Sequence, residues 1–164
     1  MRLRELQIKD AEYMLEWMHN KDVVCHLSAN FADKTIEDCK NFIANSKNNA
    51  YDINLAIVNE DDEYMGTVSL KHVDKEHQTA EFAVTIRECA MGKGYSAYGM
   101  AEILRRGLED FGLKNIYWCV SKNNERAVRF YDKNGYLRTT DIPTNILECY
   151  TKEQNAMFIW YVYS

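Results

Sequence analysis

Residues 123–136 read NNERAVRFYDKNGY, a polar stretch that begins with two asparagines and ends with glycine and tyrosine. Asparagine is favoured at helix N-caps and glycine just beyond helix C-termini, so Asn124 and Gly135 predict the two ends of a short helix. The helix is amphipathic, and of its two adjacent aromatic residues we expect Phe130 to be the better core residue. Tyr131 is then available for chemistry, although a position in the core would explain it as well.

A glycine-rich stretch, MGKGYSAYGMA, occupies residues 91–101 and is followed by the strand NIYWCVS before the short helix. Apolar residues with a period near 3.6 predict a helix of about four turns that ends near Gly112. These residues are Ala97, Met100, Ala101, Leu104, Leu108 and Phe111. Because free N–H groups and the helix dipole favour anions at a helix N-terminus, the glycine turn predicts a phosphate-binding loop.

Two known phosphate motifs fit this turn poorly. Gly92, Gly94 and Ala97 satisfy G-x-G-x-x-G/A, but a dinucleotide fold needs that motif in its first β-α-β unit and a carboxylate after the next strand. The next strand here ends in Val-Ser-Lys. A Walker A loop needs Ser or Thr after its lysine, whereas Lys93 is followed by Gly94.

The rest of the chain predicts a mixed α/β fold. A short strand around residues 6–8 precedes the helix AEYMLEWM, for which Asp10 is a plausible cap, and residues 35–45 form a second helix. INLAIV and YMGTVSL are typical of a hairpin, TAEFAVTI of a third strand and AMFIWYVY of a final strand. Without repeats or linkers, the sequence predicts one domain, residues 1–164, with a mixed, mostly antiparallel sheet flanked by helices.

The third strand has one unusual face. Alternation places Ala80, Phe82, Val84 and Ile86 on one side and Thr79, Glu81, Ala83 and Thr85 on the other. The second face carries small side chains around a single carboxylate. A ligand can therefore approach this backbone with Glu81 within reach, although a salt-bridged strand carboxylate is an equally simple explanation.

Composition narrows the functional classes. A net charge of −5 over 164 residues disfavours nucleic acid as the main partner. No segment has the apolar length of a membrane span, and the opening residues lack a signal-peptide core, so we expect a cytoplasmic protein. Five scattered cysteines without C-x-x-C predict reduced thiols, and four histidines without metal-binding spacing predict no metal site.

The two motifs together resemble the GNAT N-acetyltransferases. The family's Asn-x-x-Ala-x-x-Phe/Leu-Tyr-x-x-x-Gly-Phe/Tyr block is matched at Asn124, Ala127, Phe130, Tyr131, Gly135 and Tyr136. Its Gln/Arg-x-x-Gly-x-Gly/Ala loop is matched at the central glycine, while Met91 and Ser96 depart from the end positions. The resemblance extends over nearly the whole chain and implies a single-domain GNAT fold. The opening residues are similar to the branch with ribosomal-protein N-terminal and amino-sugar acetyltransferases.

The resemblance implies a set of site residues for acetyl-CoA as co-substrate. The pyrophosphate is expected on the turn formed by Met91, Gly92, Lys93, Gly94, Tyr95 and Ser96, mainly through main-chain N–H groups, and Asn124 is expected to reach CoA while capping its helix. Pantetheine is expected along Val84, Thr85 and Ile86. Tyr131 is implied as the general acid, and Glu81 is a candidate general base beside the alternative of ordered water. Cys89 and Cys119 are expected to be ordinary buried thiols.

These expectations combine into one predicted function: direct transfer of an acetyl group from acetyl-CoA to a primary amine in a ternary complex. A catalytically inactive acyl-CoA binding module and a dinucleotide-dependent oxidoreductase are the alternatives. The acceptor stays open between a peptide amine, an amino sugar and another small amine, with specificity expected in the early helices and in a late loop at residues 141–154. The apolar tail is compatible with a homodimer or an internal strand.

Overall fold

The computed structural model describes residues 1–27 and 29–164. The strands in these ranges are β1 Arg2–Glu5, β2 Ile53–Val58, β3 Tyr64–Asp74, β4 Thr79–Ile86, β5 Asn115–Ser121, β6 Leu137–Arg138 and β7 Phe158–Tyr163. The helices are α1 Ala11–Met18, α2 Lys21–Val24, α3 Ile36–Ser46, α4 Tyr95–Glu109, α5 Glu125–Lys133, α6 Thr144–Leu147 and α7 Lys152–Ala156. Short 3-10 turns cover Ile8–Asp10 and Glu88–Ala90.

One sheet of seven strands organises the molecule, in the order β1-β2-β3-β4-β5-β7-β6. Every neighbouring pair is antiparallel except β4 with β5, which is parallel. The predicted α/β class with a mixed, mostly antiparallel sheet is therefore confirmed. The apolar tail is an internal strand, because β7 lies between β5 and β6.

Helix α4 lies unusually close to one face of the sheet. Its buried side is formed by Gly99, Met100, Ile103, Leu104 and Gly107. A Cβ atom added at Gly99 would come within 2.4 Å of Ile57 Cδ1, and one at Gly107 within 2.5 Å of Ile116 Cδ1. The predicted helix is confirmed, but its predicted apolar face was partly wrong, because Ala97 and Ala101 are exposed and glycines take the contact positions.

Helices α1 and α3 cover the opposite face. Met14, Trp17 and Ile43 pack there against Tyr64 and other residues of β2 and β3. Helix α3 begins at the cap Thr35, whose hydroxyl accepts the N–H of Asp38 while the Asp38 carboxylate accepts the N–H of Thr35. Both early helices are thus where the sequence predicts them.

Asp10 has a different role from the predicted one. Its side chain makes no cap hydrogen bond to α1. Instead Oδ2 accepts the N–H of Gln7 at 2.8 Å, and both carboxylate oxygens accept hydrogen bonds from the Arg4 guanidinium. Asp10 is fully buried, so the ion pair with Arg4 compensates the burial of its charge.

The segment at residues 141–154 was predicted to be a loop, and this is wrong for half of it. It contains α6 and the start of α7, and Ile146 of α6 is fully buried against Tyr117 and Trp160. The only proline of the chain, Pro143, is the N-cap residue of α6. Two short amphipathic turns of four and five residues carry too weak a period to be recognised from sequence.

We predict that Gly99→Ala destabilises the fold. Alanine has the higher helix propensity, by about 1 kcal/mol, but its methyl group would overlap Ile57. We expect a net loss of about 1–3 kcal/mol in the free energy of unfolding, the usual cost of overpacking a core. Denaturant unfolding followed by circular dichroism measures it. Ala101→Ser, on the exposed side of α4, is the matched control, and an unchanged midpoint for Gly99→Ala would refute the close packing.

Candidate active site

A gap between the two parallel strands forms the centre of the candidate site. Strands β4 and β5 pair at three positions, Thr79 with Asn115, Ala80 with Ile116 and Glu81 with Tyr117. Beyond these, both strands continue without a further pair in the described part of the chain. A cavity of 580 Å³ lies in the gap, and backbone groups on its two walls are free to bind a ligand.

The predicted pantetheine strand is only partly in this cavity. Val84 and Thr85 line it, whereas Ile86 is buried in the main core and pairs with Gly66 of β3. Asn124, Ala127 and Tyr131 line the opposite wall. The small-residue face of β4 is open, as predicted, because Ala83 and Thr85 also line a second cavity toward α1 and α3.

The glycine turn has the geometry of an anion cradle. Gly92 and Gly94 have φ angles of +74° and +86°, in a region that residues other than glycine rarely adopt. Within the described ranges, the N–H groups of Met91 and Lys93 donate hydrogen bonds inside the turn, and the N–H groups of Gly92 and of residues 94–97 donate none. These donors lie at the N-terminus of a helix of 15 residues, which favours negative charge.

Side chains of the turn contribute little to this cradle. Met91 is 38% exposed, Lys93 is exposed, and Tyr95 and Ser96 form the half-buried first turn of α4. The turn does not line the cavity itself, but the first turn of α5 connects the two. Arg126 Nη2 lies 3.9 Å from the position where a Gly92 side chain would begin. The turn therefore gains a guanidinium that the sequence motif did not identify.

Helix α5 presents Asn124 and Tyr131 to the cavity. Asn124 is the N-cap, and its Oδ1 accepts the N–H of Ala127 at 3.2 Å, as predicted. The predicted order of burial is wrong, because Tyr131 is 8% exposed and Phe130 is only half-buried. Tyr131 packs against Trp118 and Tyr161 at ring distances of 5.5 and 5.1 Å. Burial raises the pKa of Tyr131, so the phenol keeps its proton at neutral pH.

Glu81 is a buried carboxylate with one oxygen unsatisfied. Its side chain is 2% exposed, and Oε1 accepts a hydrogen bond from the Tyr150 hydroxyl. Oε2 has no hydrogen-bond partner in the described part of the chain. His72 Nε2 is 3.5 Å from Oε2 and Lys71 Nζ is 3.9 Å from it. A buried carboxylate oxygen without a donor is costly, which favours a cationic or amine-bearing ligand here.

A second cavity of 340 Å³ lies beside the first, on the side of α1 and α3. Both are lined by Phe31, Ala83, Val84 and Thr85, so they form one continuous groove past the small face of β4. Trp17 contributes an aromatic wall and Asp38 a carboxylate. The groove therefore combines apolar walls with charged groups of both signs, Asp38 and Lys34 in the second cavity and Glu81 and Lys71 in the first.

The cysteines behave as structural thiols. Cys119 lines the first cavity, and burial raises its pKa to about 12. Cys89 is exposed in the 3-10 turn before the glycine loop, so the prediction that it is buried is wrong. In the described ranges no group of three or more His, Cys, Asp or Glu side chains is placed to hold a metal ion.

Tyr150 and His72 are the groups around Glu81 that sequence reasoning missed. Tyr150 is separated from Glu81 by 69 residues and reaches it from the segment after α6. His72 lies in an irregular part of β3, where the ladder with β4 shifts register. No local motif marks either residue, since both contacts depend on the folded sheet.

The gap between the parallel strands β4 and β5 lies near a helix N-terminus that has free backbone N–H groups. This arrangement suits an extended, anionic ligand that binds between the two strands. The chain belongs to the acetyltransferase (GNAT) domain family, whose sequence profile matches residues 1–137. This membership confirms the resemblance drawn from the two motifs.

Relatives with known activities are similar to parts or all of the chain. Spermidine N(1)-acetyltransferase of Escherichia coli K12 is 31% identical over 80 residues, which is 49% of this chain and 43% of that protein. The chain thus spans less than half of the length of this curated relative. No helix of the described residues combines the length and apolar character needed to cross a membrane.

Solved structures agree on the fold. Spermidine N-acetyltransferase of Vibrio cholerae in complex with CoA and spermine has a TM-score of 0.78 at 16% identity, covering 98% of this chain and 92% of that one. A dodecameric structure of the Vibrio cholerae enzyme has a TM-score of 0.74 at 17% identity, covering 99% and 92%. At these low sequence identities, the similarity shows a shared fold and nothing more.

We predict that Cys119 is among the slowest thiols to react. At pH 7.5, a thiol with a pKa of about 12 is almost entirely protonated, and only the thiolate attacks iodoacetamide. Peptide mapping by mass spectrometry should find Cys25 and Cys89 alkylated first and Cys39 and Cys119 last. In denaturant all five should react at similar rates. Labelling of native Cys119 as fast as that of Cys25 would instead identify a reactive thiolate.

Proposed function

We propose that residues 1–164 form one acetyltransferase domain that transfers an acetyl group from acetyl-CoA to a primary amine by direct attack. The observation that carries the proposal is the split between β4 and β5, with Glu81 and Tyr131 both lining its cavity. Strand β7 supports a single domain, because it lies beyond the matched residues yet pairs with β5 over six positions. A cytoplasmic location and a homodimer stay predictions.

The residues present fit CoA. The unpaired N–H groups of the glycine turn and the Arg126 guanidinium would bind the pyrophosphate of CoA. Asn124, at the cavity wall, would contact the part of CoA that is attached to the pyrophosphate. The backbone edge of Val84 and Thr85 that faces β5 without a pair would bind the extended pantetheine arm and polarise the thioester carbonyl. Met91 and Ser96 are compatible with this arrangement, since main-chain donors do not depend on their side chains.

The chemistry divides between two side chains. Glu81 would take a proton from the incoming ammonium, and the resulting neutral amine attacks the thioester carbonyl. The C–N bond forms, the C–S bond breaks, and Tyr131 donates its proton to the departing thiolate. The acetylated nitrogen then loses its surplus proton, which restores the Tyr131 phenol and leaves a neutral amide. The raised pKa of Tyr131 keeps that proton available over the whole neutral range. Cys119 takes no part, because its raised pKa leaves it a thiol.

An alkyl polyamine is the acceptor that the groove favours. An extended polycation has methylene segments that suit the aromatic walls, including Trp17 and Phe31, and ammonium groups that suit Glu81 and Asp38. The named activities of the relatives point in the same direction. An inactive acyl-CoA binding module is disfavoured by Tyr131 in the cavity, and a dinucleotide enzyme by the family membership.

Calorimetry tests the cofactor. CoA and acetyl-CoA should bind and NAD⁺ should not. Arg126→Gln should weaken CoA binding about tenfold or more, the value of about 1.5–3 kcal/mol for a hydrogen bond to a charged group. Arg129→Gln is the matched control, because Arg129 is exposed on the same helix and pairs with Glu125. Failure of both CoA species to bind would overturn the proposed function.

Tyr131→Phe tests the general acid. With spermidine as acceptor and free-thiol release as the assay, kcat should fall about 10²–10⁴-fold while the CoA Kd stays constant. Tyr136→Phe, which removes a hydroxyl from a neighbouring ring of the same aromatic cluster, should leave kcat unchanged. The unmodified protein should show no loss of kcat from Tyr131 deprotonation below about pH 10. An unchanged kcat in Tyr131→Phe would remove it from the mechanism.

A further inference from the structure

The buried position of Glu81 poses a problem for any base at this site. A carboxylate that has taken a proton must release it before the next turnover, yet the Glu81 side chain is 2% exposed. Oε1 is occupied by the Tyr150 hydroxyl, and Oε2 is closed off from solvent without a hydrogen bond from the described residues. While ligands fill the cavity that Glu81 lines, release of the proton therefore needs a neighbouring group that contacts both Glu81 and water.

His72 has that position. Its Nε2 lies 3.5 Å from Glu81 Oε2, and its side chain is 40% exposed. Imidazole is also the side chain that most readily gains and loses a proton between pH 5 and 8.

The backbone holds His72 in a conformation that needs support. Its φ is +52°, a left-handed value that is uncommon for residues other than glycine. The register of β3 with β4 shifts between Lys71 and Asp74, and Asp52 Oδ1 accepts the His72 N–H at 3.0 Å. The irregular strand places Lys71 and His72 together on the cavity wall, although a regular strand would turn successive side chains to opposite faces.

Other titratable groups around Glu81 are less suited to the task. Lys71 is an ammonium and has no free electron pair to accept a proton, and the Tyr150 phenol already donates its proton to Oε1. Asp52 touches only the backbone of His72. His26 and Cys149 line the same cavity without a hydrogen bond or ion pair to Glu81.

We propose that His72 is the proton exit of the site, an inference that rests on the proposed acetyl transfer. Glu81 removes a proton from the acceptor ammonium and becomes a neutral carboxylic acid. The acid transfers this proton to neutral His72 Nε2, which restores the carboxylate and gives imidazolium. The imidazolium releases the proton to solvent, so in each turnover the proton that Glu81 took from the ammonium reaches water, while the second proton lost by the nitrogen ends on the CoA thiol.

The experiment replaces the imidazole and then supplies it from solution. His72→Gly suits the left-handed backbone and leaves space for a small base, and His72→Gln keeps a polar side chain without a transferable proton. With acetyl-CoA and spermidine at pH 7, we expect kcat to fall at least tenfold in both variants. Added imidazole should restore the kcat of His72→Gly in proportion to the concentration of neutral imidazole, and should not restore the kcat of His72→Gln.

Two matched control variants distinguish an effect on proton transfer from an effect on folding. His77→Gln removes an exposed imidazole from the turn that follows β3, and Asn48→Gly relaxes another left-handed residue far from the cavity. Both should keep the unmodified kcat, and all variants should keep the CoA Kd. Should His72→Gly unfold, the dependence of kcat on pH is measured for His72→Gln and for the unmodified protein, and we expect the two profiles to differ in shape.

The outcomes distinguish this inference from the function on which it rests. An unmodified protein that binds no CoA or releases no thiol with spermidine overturns the proposed function and this inference with it. An active unmodified protein whose His72 variants match it in kcat and pH profile overturns the proton exit alone. Loss of kcat in His72→Gly without rescue by imidazole, at constant CoA Kd, also overturns it, because that result assigns His72 a structural role.

Discussion

The incomplete pairing of β4 with β5 is the constraint on which the rest of the structure depends. Each strand is held on its outer side: β4 pairs with β3 from Glu81 to Ile86 and again at Thr79, and β5 pairs with β7 from Ile116 to Ser121. The inner backbone groups beyond Glu81 and Tyr117 have no partner strand, so they must be satisfied by water or by a ligand.

Helix α4 converts this gap into a site with two ends. Because Gly99 and Gly107 allow the helix to rest directly on the sheet, the position of its N-terminus is set by backbone packing and not by flexible side chains. The glycine turn then lies beside the first turn of α5, where Asn124 and Arg126 are found. At the other end, Glu81 belongs to the last paired position of β4 and β5, so the acidic group sits where the strands begin to separate.

Sequence reasoning succeeded where the cause is local. Asn124 caps its helix because of its own side chain, and Gly92 and Gly94 permit left-handed turns because they lack Cβ atoms. It failed where the cause is a long-range contact. Asp10 forms an ion pair with Arg4 and does not cap α1. Tyr150 donates a hydrogen bond to Glu81, a contact that exists only in the folded sheet. Part of the buried side of α4 was missed because Gly99 and Gly107 carry no hydrophobic signal, whereas Met100 and Leu104 were identified.

The main-chain donors of the glycine turn have an evolutionary consequence. Met91 and Lys93 are exposed, and the cradle is formed by main-chain N–H groups, so exchange of their side chains leaves those donors in place. Such a loop can drift away from its family signature while the capacity to hold an anion persists. Searches based on that signature will lose proteins of this kind before the proteins lose the property, whereas a search for paired positive φ angles at a helix start will still find them.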